Sequence, residues 1–187
     1  MGVLGVAATR TPLWTLSLIA LSICASLIPE LADHLAAETI ALCTGQLWRL
    51  LGGPLIHGSP SHLLRDLSVL CVLGPLVEHR LARAQAALFF CAALALPALL
   101  TLALRPDLGV YCGLSGLDHA LAAFLLVDAY RANRRWPIAL LAGLLALKLA
   151  FETASGDLLF PLDMGELVPA PEAHLAGAAL GAYCAWV

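Results

Sequence analysis

The sequence predicts an all-α membrane protein, built as a bundle of six transmembrane helices. Three observations predict it. The 187-residue chain is 61% hydrophobic and only 12% charged, with a mean hydropathy of +0.90. A soluble domain carries about 25% charged residues, so this chain has too little polar surface to cover a water-facing globule. Apolar runs recur at lengths near the roughly 17–25 residues that cross a bilayer. The basic residues gather on alternate connections, which is the pattern that orients membrane helices.

Six stretches qualify as spans: 12–29, 61–78, 84–104, 113–130, 136–151 and 171–187. The first is followed by further apolar segments, not by a small-residue cleavage site and a polar domain, so it reads as a span and not as a signal peptide. The last two are short and need thin lipid or shelter from neighbours. Arg10 precedes the first span, Arg80 and Arg83 join the second to the third, and Arg131, Arg134 and Arg135 join the fourth to the fifth. The opposite connections hold Glu30, Asp33, Glu38, Asp107, Glu152, Asp157, Asp163, Glu166 and Glu172, with only Arg49 and Arg105. The positive-inside rule then puts both termini in the cytoplasm and starts the second, fourth and sixth spans at the outer face.

The chain reads as a single domain over 1–187, without repeats. The outer connection 30–60 is too long for a tight turn, and its ELADHLAAETIALCTGQ suits short amphipathic helices at the interface. The acidic, Pro- and Gly-bearing connection 152–171 suits a lid or gate. A net charge of −3 and the lack of a basic cluster leave nucleic acid out as a partner. The six cysteines show no CxxC and read mostly as small buried apolar residues. Cys43 and Cys112 fall on one side of the membrane, where a disulfide is open to them, although sequence alone does not fix pairing. Lys148 is an isolated charge in the fifth span that either snorkels outward or meets an acidic partner. Asp128 and Glu78, near the inner face, are expected to pair with the basic connections.

The polar groups collect at one depth. Ser115 begins the fourth span in YCGLSGLDHALAAF, with Asp118 and His119 one turn below it. Asp118 points to another face of that helix, where it serves packing or holds a donor. His174 lies near the start of the sixth span, in PEAHLAGAALGAY. His62 and Asp66 occupy the first two turns of the second, and His57 lies just before it. All three spans enter from the outer side, so at 1.5 Å per residue these groups share a narrow depth band. Polar groups inside a membrane face a protein interior or a water-filled cavity. A lone serine there is most often a packing residue, and a lone histidine an interfacial one; several on three helices point to one shared site. Gly113 and Gly116 flank Ser115, and Gly177 and Gly181 form a GxxxG pattern after His174, which lets helix backbones approach closely.

That arrangement permits acyl transfer. Serine becomes a nucleophile when a base takes its proton, and a neutral imidazole can do so near neutral pH. The oxyanion then needs donors, supplied by the Ser115 backbone N–H and a side chain such as His62. Gly113 leaves the backbone around the serine uncovered. The second, fourth and sixth spans are expected to enclose a hydrophilic cavity, and no cofactor is required.

These residues resemble the rhomboid intramembrane serine proteases over nearly the whole chain. GLSG at 113–116 resembles the family's GxSG nucleophile motif, and AHLAG at 173–177 its AHxxG motif. The resemblance implies a rhomboid-like six-helix bundle with Ser115 as nucleophile and His174 as general base of a Ser–His dyad. His57, His62 and position 66 match H-x4-H-x3-N, whose second His and Asn help form the oxyanion hole in the family. Trp48-Arg49 resembles its WR motif, and Glu78 a structural glutamate. Two positions depart. Asp66 stands where the family has Asn; it either carries a proton and donates, or stays ionised and orients His62 or pairs with Arg65, the second being favoured at rest. His119 stands where many members have a Tyr that stacks on the catalytic histidine; His119 either does the same and tunes His174, or only packs.

The short core and GLSG followed by a histidine are similar to the rhombosortase branch. That similarity implies a bacterial inner-membrane enzyme whose partners are membrane-anchored proteins with a C-terminal transmembrane segment and a Gly-Gly sorting tail. Two other readings stay open. One is a rhomboid-like protein that binds transmembrane segments without cutting them. The other is a metal or ion transporter with His57, His62, Asp66, His119 and His174 as ligands.

Overall fold

The computed structural model describes residues 10–159 and 168–187. Six helices of 15 residues or more lie close to the six expected stretches: α1 (Leu13–Leu27), α5 (Pro60–Arg80), α6 (Arg83–Leu104), α7 (Ser115–Asn133), α8 (Trp136–Ser155) and α9 (Pro171–Trp186). Three short helices, α2 (Pro29–Leu35), α3 (Thr39–Cys43) and α4 (Arg49–Gly52), fill the 30–60 connection. By length and composition α6 and α8 are able to cross a membrane, and α1 with α2 qualifies as a pair bent by 116°. The chain is an integral membrane protein. The helices that fall short do so for readable reasons. α5 and α7 carry charged and imidazole residues in their interiors, while α1 and α9 have only 15 and 16 residues.

Local chemistry sets the ends. The Ser59 hydroxyl accepts from the His62 N–H at 3.1 Å and Pro60 occupies the first turn, so α5 starts just before His62. At α8 the stop is Gly156, left-handed at φ 76°, whose N–H bonds the Glu152 carbonyl at 2.9 Å. α8 therefore runs four residues beyond the expected 151, and Glu152 lies within it and not in a loop. Residues 160–167, the middle of the expected lid 152–171, lie outside the described residues.

A two-residue antiparallel pair, β1 (Ala37–Glu38) with β2 (Val110–Tyr111), adds a feature that an all-helical expectation omits. It ties the 30–60 segment to the chain just before Ser115. The Thr39 N–H reaches the Gly109 carbonyl at 2.9 Å and the Gly113 N–H reaches the Ile56 carbonyl at 2.8 Å. Arg49 braces the same segment by donating to the carbonyls of Asp33 and Ala36, both at 2.8 Å. Trp48 stacks on His34 with ring centroids 5.7 Å apart.

The core runs between α1, α5, α6, α7 and α9, with Leu70, Phe90, Leu117 and Leu121 fully buried. α7 and α9 form the closest helix pair. A Cβ at Gly177 would strike the Gly116 carbonyl, and one at Gly181 the Ala120 carbonyl, so only glycine permits this backbone contact. At the opposite end Glu78 is buried and caps α1, accepting from the N–H groups of Trp14 and Thr15 and from the Thr15 hydroxyl, each at 3.1 Å. It does not pair with a basic connection as expected: four unsatisfied N–H groups at a buried helix start attract a carboxylate more directly. Asp128 does pair with Arg80, at 2.8 Å.

The cysteines differ from expectation. Among the described residues none is buried, and Cys43 and Cys112 are free thiols. In a chain whose outer surface faces hydrocarbon, an apolar residue is as welcome outside as inside.

Candidate active site

Ser115 opens α7 because the chain before it cannot be helical. Gly113 sits at φ 95°, a left-handed region that disfavours side chains. A Cβ there would also lie 2.8 Å from both Cε1 and Nε2 of His62. Glycine thus serves twice, turning the chain into the helix and seating the His62 ring beside the nucleophile candidate. The first N–H groups of α7 have no intrahelical partner, so they form a donor cluster around Ser115.

His174 lies one turn into α9, 7% exposed. It faces a cavity of about 350 Å³ whose lining includes Ser115, His62, Asp66, His119, Lys148 and Glu152. The expected convergence of α5, α7 and α9 is therefore present. Among the described residues no hydrogen bond joins the Ser115 hydroxyl to His174; such bonds commonly tighten only around a substrate. Asp118 borders the same cavity, buried, with Oδ1 unpartnered among the described residues, so it does not point away from the site as expected.

His119 stacks on His174 with ring centroids 4.1 Å apart and planes 15° apart. Its Nδ1 lies 2.7 Å from the Ser115 carbonyl and its Nε2 lies 2.9 Å from Lys148 Nζ. Lys148 meets an acidic partner: it donates to Glu152 Oε2 at 2.7 Å. The same oxygen lies 2.9 Å from His174 Nδ1. Glu152 is 1% exposed, and its other oxygen accepts from the Leu159 N–H at 3.0 Å.

Across the cavity, Asp66 is held between two imidazoles. Its Oδ2 lies 3.2 Å from His57 Nε2 and 3.4 Å from His62 Nε2, and the two rings meet edge to face at 4.9 Å. His57 Nδ1 faces the Leu55 carbonyl at 3.1 Å. Both ring nitrogens of His57 thus face oxygens, so either His57 carries two protons or Asp66 carries one. His62 Nδ1 is buried with no partner among the described residues.

Two trios offer ligand atoms within 4.8 Å of one another, His57, His62 and Asp66 in one and His119, Glu152 and His174 in the other. In the second, the Lys148 ammonium already bridges His119 and Glu152, and its charge opposes a metal cation there.

A family model described as a rhomboid domain matches residues 44–187. The chain belongs to the rhomboid family. Members are generally intramembrane serine proteases that act on membrane proteins within the bilayer. No curated protein matches the chain.

Of the expected residues, Ser115, His174, His62, Asp66 and His119 line one cavity, while His57 lies behind Asp66 and Gly113 beneath His62. Sequence reasoning missed Glu152 as a member of this cluster. Its signal was the Lys148–Glu152 spacing of four residues, which places two opposite charges on one face of an otherwise apolar helix.

Proposed function

We propose that this protein is an intramembrane serine endopeptidase of six membrane crossings, with Ser115 as nucleophile and His174 as general base. The observation that carries the reading is that a serine at the start of α7 and an imidazole one turn into α9 face one cavity, together with other polar side chains. The two helices are joined backbone to backbone just beyond them.

The chemistry follows from those positions. His174 Nε2 takes the Ser115 proton as Oγ attacks the scissile carbonyl carbon, and the carbonyl π electrons move to oxygen. The resulting oxyanion meets the free N–H groups of the α7 N-terminus and the His62 ring. Collapse breaks the C–N bond, and the amine leaves with the proton from Nε2. Water then attacks the acyl-enzyme, giving one proton to Nε2, and Ser115 is regenerated when that proton returns to Oγ. Asp66 orients His62 and His57 and does not contact the oxyanion, and His119 supports His174 by stacking.

The substrates are membrane-anchored proteins with a C-terminal transmembrane segment, most like rhombosortase targets with Gly-Gly sorting tails. The location is the bacterial inner membrane, with both termini cytoplasmic and the cavity opening to the periplasmic side. Co-expression with candidate tailed proteins, followed by mass spectrometry of the new C-terminus, tests the substrate. Labelling by a fluorophosphonate probe tests the nucleophile. Wild-type protein should label and Ser115→Ala should not; equal labelling or equal cleavage by the two would end the assignment.

A further inference from the structure

We infer that Glu152 is a positioning residue for His174, so that the site works as a Ser115–His174–Glu152 triad locked from behind by Lys148. The inference rests on the protease reading above and goes beyond its dyad. Its basis is the hydrogen-bond chain, which assigns each proton once His119 and His174 are taken as neutral imidazoles and Lys148 as an ammonium. His119 Nδ1 faces the Ser115 carbonyl at 2.7 Å, an acceptor, so that nitrogen carries the hydrogen. His119 Nε2 is then a lone pair, and it accepts from Lys148 Nζ at 2.9 Å. Lys148 also donates to Glu152 Oε2 at 2.7 Å, which requires no proton on that oxygen. His174 Nδ1, 2.9 Å from the same oxygen, must therefore donate, and in the neutral ring this leaves Nε2 bare as the atom that removes the Ser115 proton.

Glu152 is itself held on all sides that matter. It is 1% exposed, its second oxygen takes the Leu159 N–H at 3.0 Å, and its helix places Lys148 one turn away. A carboxylate so fixed holds the imidazole tautomer and orientation, and it stabilises the imidazolium formed when Nε2 takes the proton. The proton ends on Nε2 and leaves with the amine; Glu152 gains none. Among the described residues, the titratable and charged groups around this cavity are His119 and Asp118 from α7, Lys148 and Glu152 from α8, Tyr111 and Cys112 just before α7, and His62, Arg65 and Asp66 from α5 across it. Of these, Glu152 is the one hydrogen-bonded to His174.

The test compares wild type, Glu152→Gln and Ser115→Ala in proteoliposomes on a transmembrane reporter substrate, with kcat and KM resolved across pH. Glu152→Gln should lower kcat by about 10²- to 10⁴-fold with KM unchanged. The acid limb of kcat/KM should move to lower pH, because the imidazolium has lost its anion. Unchanged kcat, or a lower kcat with the acid limb in place, would overturn the role. An inactive wild type would bring down the protease reading and this inference with it. An active wild type, a dead Ser115→Ala and an untouched Glu152→Gln would remove the inference alone. A second measurement needs no variant of Glu152 to fold: nitrogen NMR of histidine-labelled wild type in nanodiscs should give His174 with Nδ1 protonated and Nε2 bare at neutral pH. The opposite tautomer would overturn the proposal.

Discussion

Gly177→Ala is the sharpest probe of how α9 positions its imidazole. A Cβ at this position would come 2.8 Å from the Gly116 carbonyl carbon and closer still to its oxygen. Carbon atoms in contact want about 3.5 Å, so α7 and α9 must part by at least about 0.7 Å, and by roughly 1 Å once the oxygen is cleared. His174 lies three residues before Gly177 and Ser115 one residue before Gly116, so the displacement is delivered straight to the proposed reacting pair. A 1 Å misplacement costs on the order of 10²-fold in rate, and overpacking a close contact costs about 1–3 kcal/mol of stability. Gly181→Ala makes a similar clash with Ala120, but two turns from His174. It should lower the unfolding temperature as much while reducing kcat/KM far less. The assay is cleavage of a transmembrane reporter in proteoliposomes beside thermal unfolding in detergent. Wild-type rate and stability in Gly177→Ala would refute the close contact. Equal rate losses in the two variants would refute the argument from distance.

Ser115→Ala and His174→Ala should each abolish cleavage while the protein still accumulates in the membrane; wild-type turnover by either variant would remove the dyad. Asp66→Asn should keep kcat/KM within about tenfold of wild type or raise it, since the amide still accepts from an imidazole and adds a donor near the oxyanion. A loss beyond about a hundredfold would show that the carboxylate itself is required. Glu78→Ala should cost about 1–3 kcal/mol in unfolding experiments, because it strips a buried cap from α1 and leaves three donors unpaired. The Arg105 guanidinium beside Asp107 holds its carboxyl below the usual carboxylate range. The stabilisation from a depressed carboxylate is present above its unfolded pKa and lost as pH falls through the folded one. Asp107→Asn should therefore be slightly less stable than wild type above about pH 5 and converge with it in more acidic buffer, as thermal unfolding across pH would read.

Much of the site was legible from depth alone. Ser115, His174 and His62 each begin a helix that enters from the same side, so counting residues brought them level before any contact was known. The glycines around them announced which helices meet. Glu152 escaped because a 16-residue apolar run was ended at its last apolar residue. Gly156 is the better stop signal, and four more residues give α8 a length that can cross a bilayer. Asp118 was misdirected because helix periodicity gives a residue's angle and not what lies across from it. The β1–β2 pairing has no periodicity to find, being two residues on each side. The cysteines were misread because hydrophobicity separates inside from outside only where the outside is water.

α8 presents Leu140, Leu141, Leu144, Leu147 and Phe151 outward, and only Leu149 and Glu152 of its residues are buried. Such a rod would spin almost freely in oil, since every azimuth offers hydrocarbon to hydrocarbon. Lys148 and Glu152 remove that freedom, because turning them away from their partners would drop an ammonium and a carboxylate into acyl chains. Changes in bilayer thickness can therefore tip this helix, but its rotational setting stays keyed to the two charges.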